Sequence, residues 1–119
     1  MKDFIYYAPT KVYFGRDKEK EVGKIISELK IKKIMMQYGQ NSIKKTGLYD
    51  VVINSLSSYG IEVVEMGGVE PNPKLSFVRE AINIARREKV EMILAVGGGS
   101  VIDSSKMTAL GATNENDVW

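Results

Sequence analysis

Met92-Ile93-Leu94-Ala95-Val96-Gly97-Gly98-Gly99-Ser100-Val101-Ile102-Asp103 is the stretch on which the fold turns. Its first five residues are apolar and have the length of a strand buried on both faces. Three glycines follow, and a helix-compatible segment opens at Ser100. Glycine allows positive φ and brings no Cβ between the backbone and a ligand. A helix amino end presents unpaired N–H groups and the positive end of the dipole, which suits phosphate. The stretch is not a Walker loop, because no G-K-[ST] follows, and it does not fit G-x-G-x-x-G, whose third glycine would fall at Ile102. The plainer alternative is a tight turn, with Ser100 and Asp103 forming a capping box in which Asp replaces Glu.

Working outward, two more apolar runs of strand length begin near residues 33 and 61, with a helical pattern between each pair of strands. This alternation predicts βαβ units: an α/β fold with a parallel, Rossmann-like sheet and helices on both faces. Residues 1–119 read as one domain. Ligands of such sheets sit outside the carboxyl ends of the strands. Those ends are residues 38–42, 67–73 and 97–100, all rich in Gly or Pro, and they should converge on one crevice.

The helices are read from their apolar stripes. Residues 17–30 carry Val22, Ile25, Ile26 and Leu29, with Asp17 as N-cap. Leu48, Val51, Val52, Leu56 and Tyr59 form the next stripe, closed by Gly60. Leu75, Val78, Ile82 and Ala85 form the third, over residues 74–89, and residues 101–112 form a last helix rich in small side chains. At the amino end, residues 4–7 and 11–14 are aromatic and β-branched runs around Pro9, which predicts a β-hairpin.

Composition removes several functions. Lys and Arg number 17 against 15 Asp and Glu, a net charge of +2 with interspersed signs, which argues against nucleic acid as a partner. There is no Cys, hence no disulfide and no thiolate metal site. There is no His, which removes the commonest general base and metal ligand. No signal peptide is visible, and no apolar run approaches the roughly 20 residues of a membrane span. A soluble cytoplasmic protein without membrane partners is the expectation.

Taken together, the motifs resemble one family. Gly97-Gly98-Gly99-Ser100-Val101-Ile102-Asp103 with Lys106 resembles the G-G-G-S-x-x-D-x-x-K signature of iron-containing (group III) alcohol dehydrogenases. Pro9 through Phe14 and Gly15 resemble its P-x-x-x-x-F-G, and Pro71-Asn72-Pro73 its P-N-P loop. Tyr38-Gly39-Gln40-Asn41-Ser42-Ile43-Lys44-Lys45-Thr46-Gly47-Leu48-Tyr49-Asp50 is similar to Y-G-G-G-S-I-K-K-x-G-x-Y-D of the butanol dehydrogenase branch, departing at Gln40 and Asn41.

The resemblance implies an amino-terminal dinucleotide-binding domain of an enzyme that interconverts alcohols and aldehydes or ketones by hydride transfer. It implies that Gly97, Gly98, Gly99 and Ser100 take the cofactor pyrophosphate. Asp103 would lie on the nicotinamide and substrate side, Asn72 on the cofactor's path, and Gly39, Gln40, Asn41 and Ser42 in the loop that selects the cofactor. Gly39 stands where many relatives carry an NAD-selecting Asp, so NADP(H) is favoured over NAD(H). Ser42 and Lys45 are the candidate phosphate partners, with a merely solvated Lys45 as the alternative. The family's Fe2+ or Zn2+ is held by one Asp and three His of an all-helical second domain, which this chain lacks, so no metal ligand is assigned here and the chain alone should be inactive. Relatives imply a homodimer joined through the first strands. Two readings compete: a stand-alone, flavodoxin-like ligand-binding or regulatory α/β domain, and a purely structural one.

Overall fold

The computed structural model describes residues 11–12, 21–39, 42–71 and 74–113, with the backbone alone at Lys11, Val12, Ser42 and Thr113. The elements run β1 (Lys11–Val12), α1 (Val22–Glu28), β2 (Lys33–Tyr38), α2 (Ser42–Lys45), α3 (Leu48–Ser58), β3 (Glu62–Met66), α4 (Leu75–Glu88), β4 (Met92–Val96) and α5 (Gly99–Thr113). The sheet has the order β1-β4-β2-β3, and every pairing is parallel. β2 pairs with β3 from Lys33 opposite Glu62 to Gln37 opposite Met66, and with β4 from Ile34 opposite Met92 to Tyr38 opposite Val96.

Alternation along the two central strands divides the core. Ile34, Met36 and Tyr38 of β2 join Met92, Leu94 and Val96 of β4 on one face, beneath Val22 and Ile26 of α1 and Val52 and Leu56 of α3. Met35 and Ile93 point the other way and meet Ala81 and Ala85 of α4 and Ala109 of α5. Both strands therefore need apolar residues at almost every position, which is why their sequences read as near-continuous apolar runs, interrupted in β2 by Gln37. The expected α/β sheet with helices on both faces is what the molecule shows.

Several local expectations shift. α1 begins at Val22 with Glu21 at its N-cap and no side-chain cap bond, while Asp17 lies outside the described residues. Leu29 and Tyr59, read as inward-facing, are 50% and 48% exposed. Each is the C-cap of its helix, where ψ has moved to 0° and 13°, so the helical period no longer sets its direction. Leu75, the first residue of α4, is 45% exposed, and burial on that stripe starts at Val78. Periodicity names a face but not how far the neighbouring surface extends. α2 and α3 are separate because Gly47 holds φ at +84°, a left-handed conformation that ends one helix and precedes the next. Of the predicted hairpin, residues 4–7, 13 and 14 lie outside the described residues, and Lys11 and Val12 pair in parallel with Leu94 and Ala95 of β4.

The order of the strands locates the crevice. From β2 the chain passes through α3 to β3; from β3 it crosses through α4 to β4, on the far side of β2. α3 packs on one face and α5 on the other. The boundary between β2 and β4 is thus a topological switch point, where an open α/β sheet leaves a cleft at its carboxyl edge.

Candidate functional site

Three loops border that cleft, and hydrogen bonds tie them in series. The Val69 N–H donates to the Tyr38 carbonyl at 3.1 Å and the Gly68 N–H to the Gly39 carbonyl at 3.0 Å, joining the loops after β2 and β3. The Ser100 hydroxyl donates to the Pro71 carbonyl at 2.6 Å, joining the loop after β3 to the start of α5. The convergence expected from sequence is therefore present, carried chiefly by main-chain groups.

Within the glycine loop the three residues do different work. Gly97 has φ +147°, and a Cβ there would stand 3.0 Å from Val101 Cγ2. That backbone favours glycine, and the neighbouring valine allows little else. Gly98 and Gly99 are the opposite case: among the described residues, a Cβ on either would meet nothing within 4 Å. Both are exposed among the described residues. The Gly98 carbonyl accepts from the N–H groups of Val101 and Ile102, both at 3.1 Å, so Gly98 occupies the N-cap position. The first N–H groups of α5 have no partner within the helix and lie at the positive end of its dipole.

This corrects the capping-box expectation. α5 starts at Gly99, so Ser100 lies inside the first turn rather than at the cap, and its hydroxyl donates across to Pro71. Asp103, the expected box partner, is exposed and lies two residues past the third helical position, Val101, and Lys106 is exposed on the same helix. Gly39 is half-buried, with Val69 O and Val101 Cγ2 at 3.7 and 4.0 Å from the place of a Cβ. Lys45 is exposed. Gln40, Asn41 and Asn72 and the side chain of Ser42 lie outside the described residues. Among the described residues, no three Asp or Glu side chains come together as a metal site.

Two arrangements near the cleft were not anticipated. Gln37, fully buried on β2, accepts from the Ser104 hydroxyl at 2.7 Å and donates to Thr108 Oγ1 at 2.8 Å. Thr108 donates in turn to the Ser104 carbonyl at 2.8 Å. At the edge of the cleft, the Glu65 carboxylate accepts from the hydroxyls of Tyr38 at 2.9 Å and of Tyr49 at 2.9 and 2.8 Å. The Lys44 ammonium lies 5.6 Å from the centre of the Tyr38 ring and 5.0 Å from that of Tyr49, within cation–π reach. Burial, and then the Glu65 carboxylate, push the Tyr38 hydroxyl up to about 12. Glu65 is the chief cause of the upward shift at Tyr49. The available signals were a single polar residue inside an apolar run, and the Tyr, Lys and Tyr of the 38–50 motif.

The chain is similar to known proteins. A profile of the iron-containing alcohol dehydrogenases matches residues 9–119. The chain is 46% identical over its whole length to the probable NADH-dependent butanol dehydrogenase 1 of Bacillus subtilis (strain 168), and covers 30% of that protein. It is 36% identical, over 99% of its length, to the NADPH-dependent aldehyde reductase YqhD of Escherichia coli (strain K12), again covering 30%. Among solved structures, the NADH-dependent butanol dehydrogenase A of Thermotoga maritima superposes with a TM-score of 0.85 at 50% identity, over all of this chain and 30% of that one. The chain thus spans under a third of the length of the relatives it matches. It belongs to the iron-containing alcohol dehydrogenase family.

Proposed function

We propose that residues 1–119 form the nicotinamide-dinucleotide-binding domain of an alcohol dehydrogenase that interconverts alcohols and aldehydes or ketones by hydride transfer. The observation that carries this is the open backbone of Gly98 and Gly99 at the amino end of α5, facing the cleft between β2 and β4. A bound pyrophosphate would be held by main-chain N–H groups of Gly98, Gly99 and Ser100, with the helix dipole favouring its charge. Asp103, exposed on the second turn of α5, stands on the side proposed for nicotinamide and substrate. The loop after β2, beginning at Gly39, takes the adenosine end.

Hydride transfer in this reading draws on Fe2+ or Zn2+, which would polarise the substrate carbonyl. This chain contributes no histidine to such a site, so its own part is to bind and orient the cofactor. Two considerations bear on the cofactor's 2′ position. Gly39 offers no carboxylate against a 2′-phosphate, which favours NADP(H). The butanol dehydrogenases at 38–46% identity are named for NADH, while an alcohol dehydrogenase of Entamoeba histolytica at 40% is named for NADP and the aldehyde reductase at 36% for NADPH, so the relatives' names fall on both sides.

The test is a fluorescence titration of the chain with NADPH and with NADH, repeated with Gly98→Glu. Saturable binding that the variant abolishes supports the reading, and the tighter ligand settles the choice. Binding that survives the glutamate would place the cofactor elsewhere and refute it.

A further inference from the structure

We propose that Gln37 is a positioning residue for the glycine loop: its amide fixes α5 against β2, and so sets where the N–H groups of Gly98 and Gly99 stand. The inference rests on the cofactor reading above.

Beyond Val101, which packs on Ala95 of β4 and on Val69, the buried residues of α5 over the sheet are mostly small: Ser104, Ser105, Thr108 and Ala109. Small residues permit close approach but offer few knobs to fix a helix along its own axis. Dispersion contacts there are spread over similar surfaces and are weakly directional. Hydrogen bonds are directional, and Gln37 supplies two of them, at 2.7 and 2.8 Å, to residues one helical turn apart. With Thr108 donating to the Ser104 carbonyl at 2.8 Å, the amide oxygen and the amide nitrogen each have a partner on α5. In a fully buried site a helix shift that broke either bond would leave a polar group unmatched, so the register of α5 has a steep cost around the observed position.

That register reaches the cleft directly. Ser104 lies five residues beyond Gly99, about 7.5 Å along the axis at 1.5 Å per residue, with regular helix between. A displacement at Ser104 therefore moves the first turn by a similar amount. On the strand side, Gln37 is adjacent to Tyr38 and opposite Ala95 of β4. The Tyr38 and Gly39 carbonyls in turn hold the loop at Gly68 and Val69. One buried amide thus links both walls of the crevice.

The test uses the chain as it stands, with Gln37→Met and with Gln37→Met combined with Ser104→Ala. Methionine keeps the length of the side chain but orphans the Ser104 hydroxyl. The double variant removes that hydroxyl as well, and Thr108 keeps its bond to the Ser104 carbonyl. Replacing both partners by apolar groups of similar shape should return the thermal midpoint towards wild type. The dissociation constant for NADH or NADPH should stay weakened, by about tenfold, in both variants. A double variant whose affinity recovers along with its stability would show that Gln37 serves folding alone and would overturn the proposal. So would a single variant that binds as wild type does. If wild type binds neither dinucleotide, the cofactor reading itself fails and the positioning role with it. That result is distinct from binding that the variants leave unchanged.

Discussion

Raising the pH should unlock the edge of the cleft at Tyr38, because that hydroxyl keeps its proton well above the ordinary phenol value of 10.0. Tyr38 is 6% exposed and donates to Glu65 Oε1 at 2.9 Å, while the Tyr49 ring stands edge-on at 5.7 Å between centroids. Ionisation would place a phenolate in this buried site against a carboxylate. The folded chain therefore holds the proton to about pH 12, whereas the unfolded chain releases it near 10.0. Between these values the native state binds more protons than the unfolded one, so stability falls as pH rises. The contribution is fully present below about 10, and a gap of about two pH units is worth roughly 3 kcal/mol. The assay is urea unfolding of wild type and Tyr38→Phe from about pH 9 to about pH 12. It is paired with the difference in tyrosinate absorbance between the two proteins. The stability advantage of wild type should shrink across this window, and the extra tyrosinate should appear near its upper end. In Glu65→Gln the midpoint should fall but remain above 10.0, because burial is the larger cause. A difference titration centred at 10, or a stability difference flat in pH, would refute the reasoning.

Four substitutions follow from what surrounds each residue in the structure. Gly97→Ala places a methyl 3.0 Å from Val101 Cγ2 at φ +147° and should cost about 1–3 kcal/mol in urea unfolding; Gly98→Ala, with nothing among the described residues within 4 Å, should leave folding within about 1 kcal/mol of wild type and show its effect in dinucleotide titration instead. Gly23→Ala brings a Cβ to 2.2 Å from the Ser55 carbonyl oxygen, where α1 crosses α3 and the Gly23 N–H donates to Ser55 Oγ at 2.9 Å. Backbone cannot step aside as a side chain can, so the thermal midpoint should drop by the equivalent of about 2 kcal/mol or more. Ser105→Ala removes a buried hydroxyl that has no hydrogen-bond partner among the described residues, and should raise stability by about 1 kcal/mol in denaturant titration.

The elements of the sheet could be read in the sequence because β2 and β4 are buried on both faces, and the runs Ile34-Met35-Met36 and Met92–Val96 have no other use. The crevice was legible for a related reason: parallel strands must all deliver their loops to one edge. The lateral order was not, since nothing in the period of a strand says which neighbour it will have, and β4 lands beside β2 rather than β3. Helix ends were misread at Leu29 and Tyr59 because the backbone leaves the helix at those residues. Gln37 is the clearest omission. Its partners lie 67 and 71 residues away, so a polar side chain within an apolar run had no visible complement until the fold brought α5 onto the sheet.

The bond from Ser100 to Pro71 also determines how the cleft would meet an anion. A serine hydroxyl has one proton to donate, and here it is directed to the Pro71 carbonyl at 2.6 Å. While that bond holds, the side chain can present only lone pairs to a phosphate, which needs donors. The donors that remain at this end of α5 are main-chain N–H groups, whose positions depend on helix register and on the glycine backbone rather than on rotamers. On the proposed reading, Ser100 would act as a strut between the loop after β3 and the start of α5. Recognition of an anion would then fall to a helix end held from beneath by Gln37, with precision coming from buried packing and the surface side chains of the cleft left to distinguish one cofactor from another.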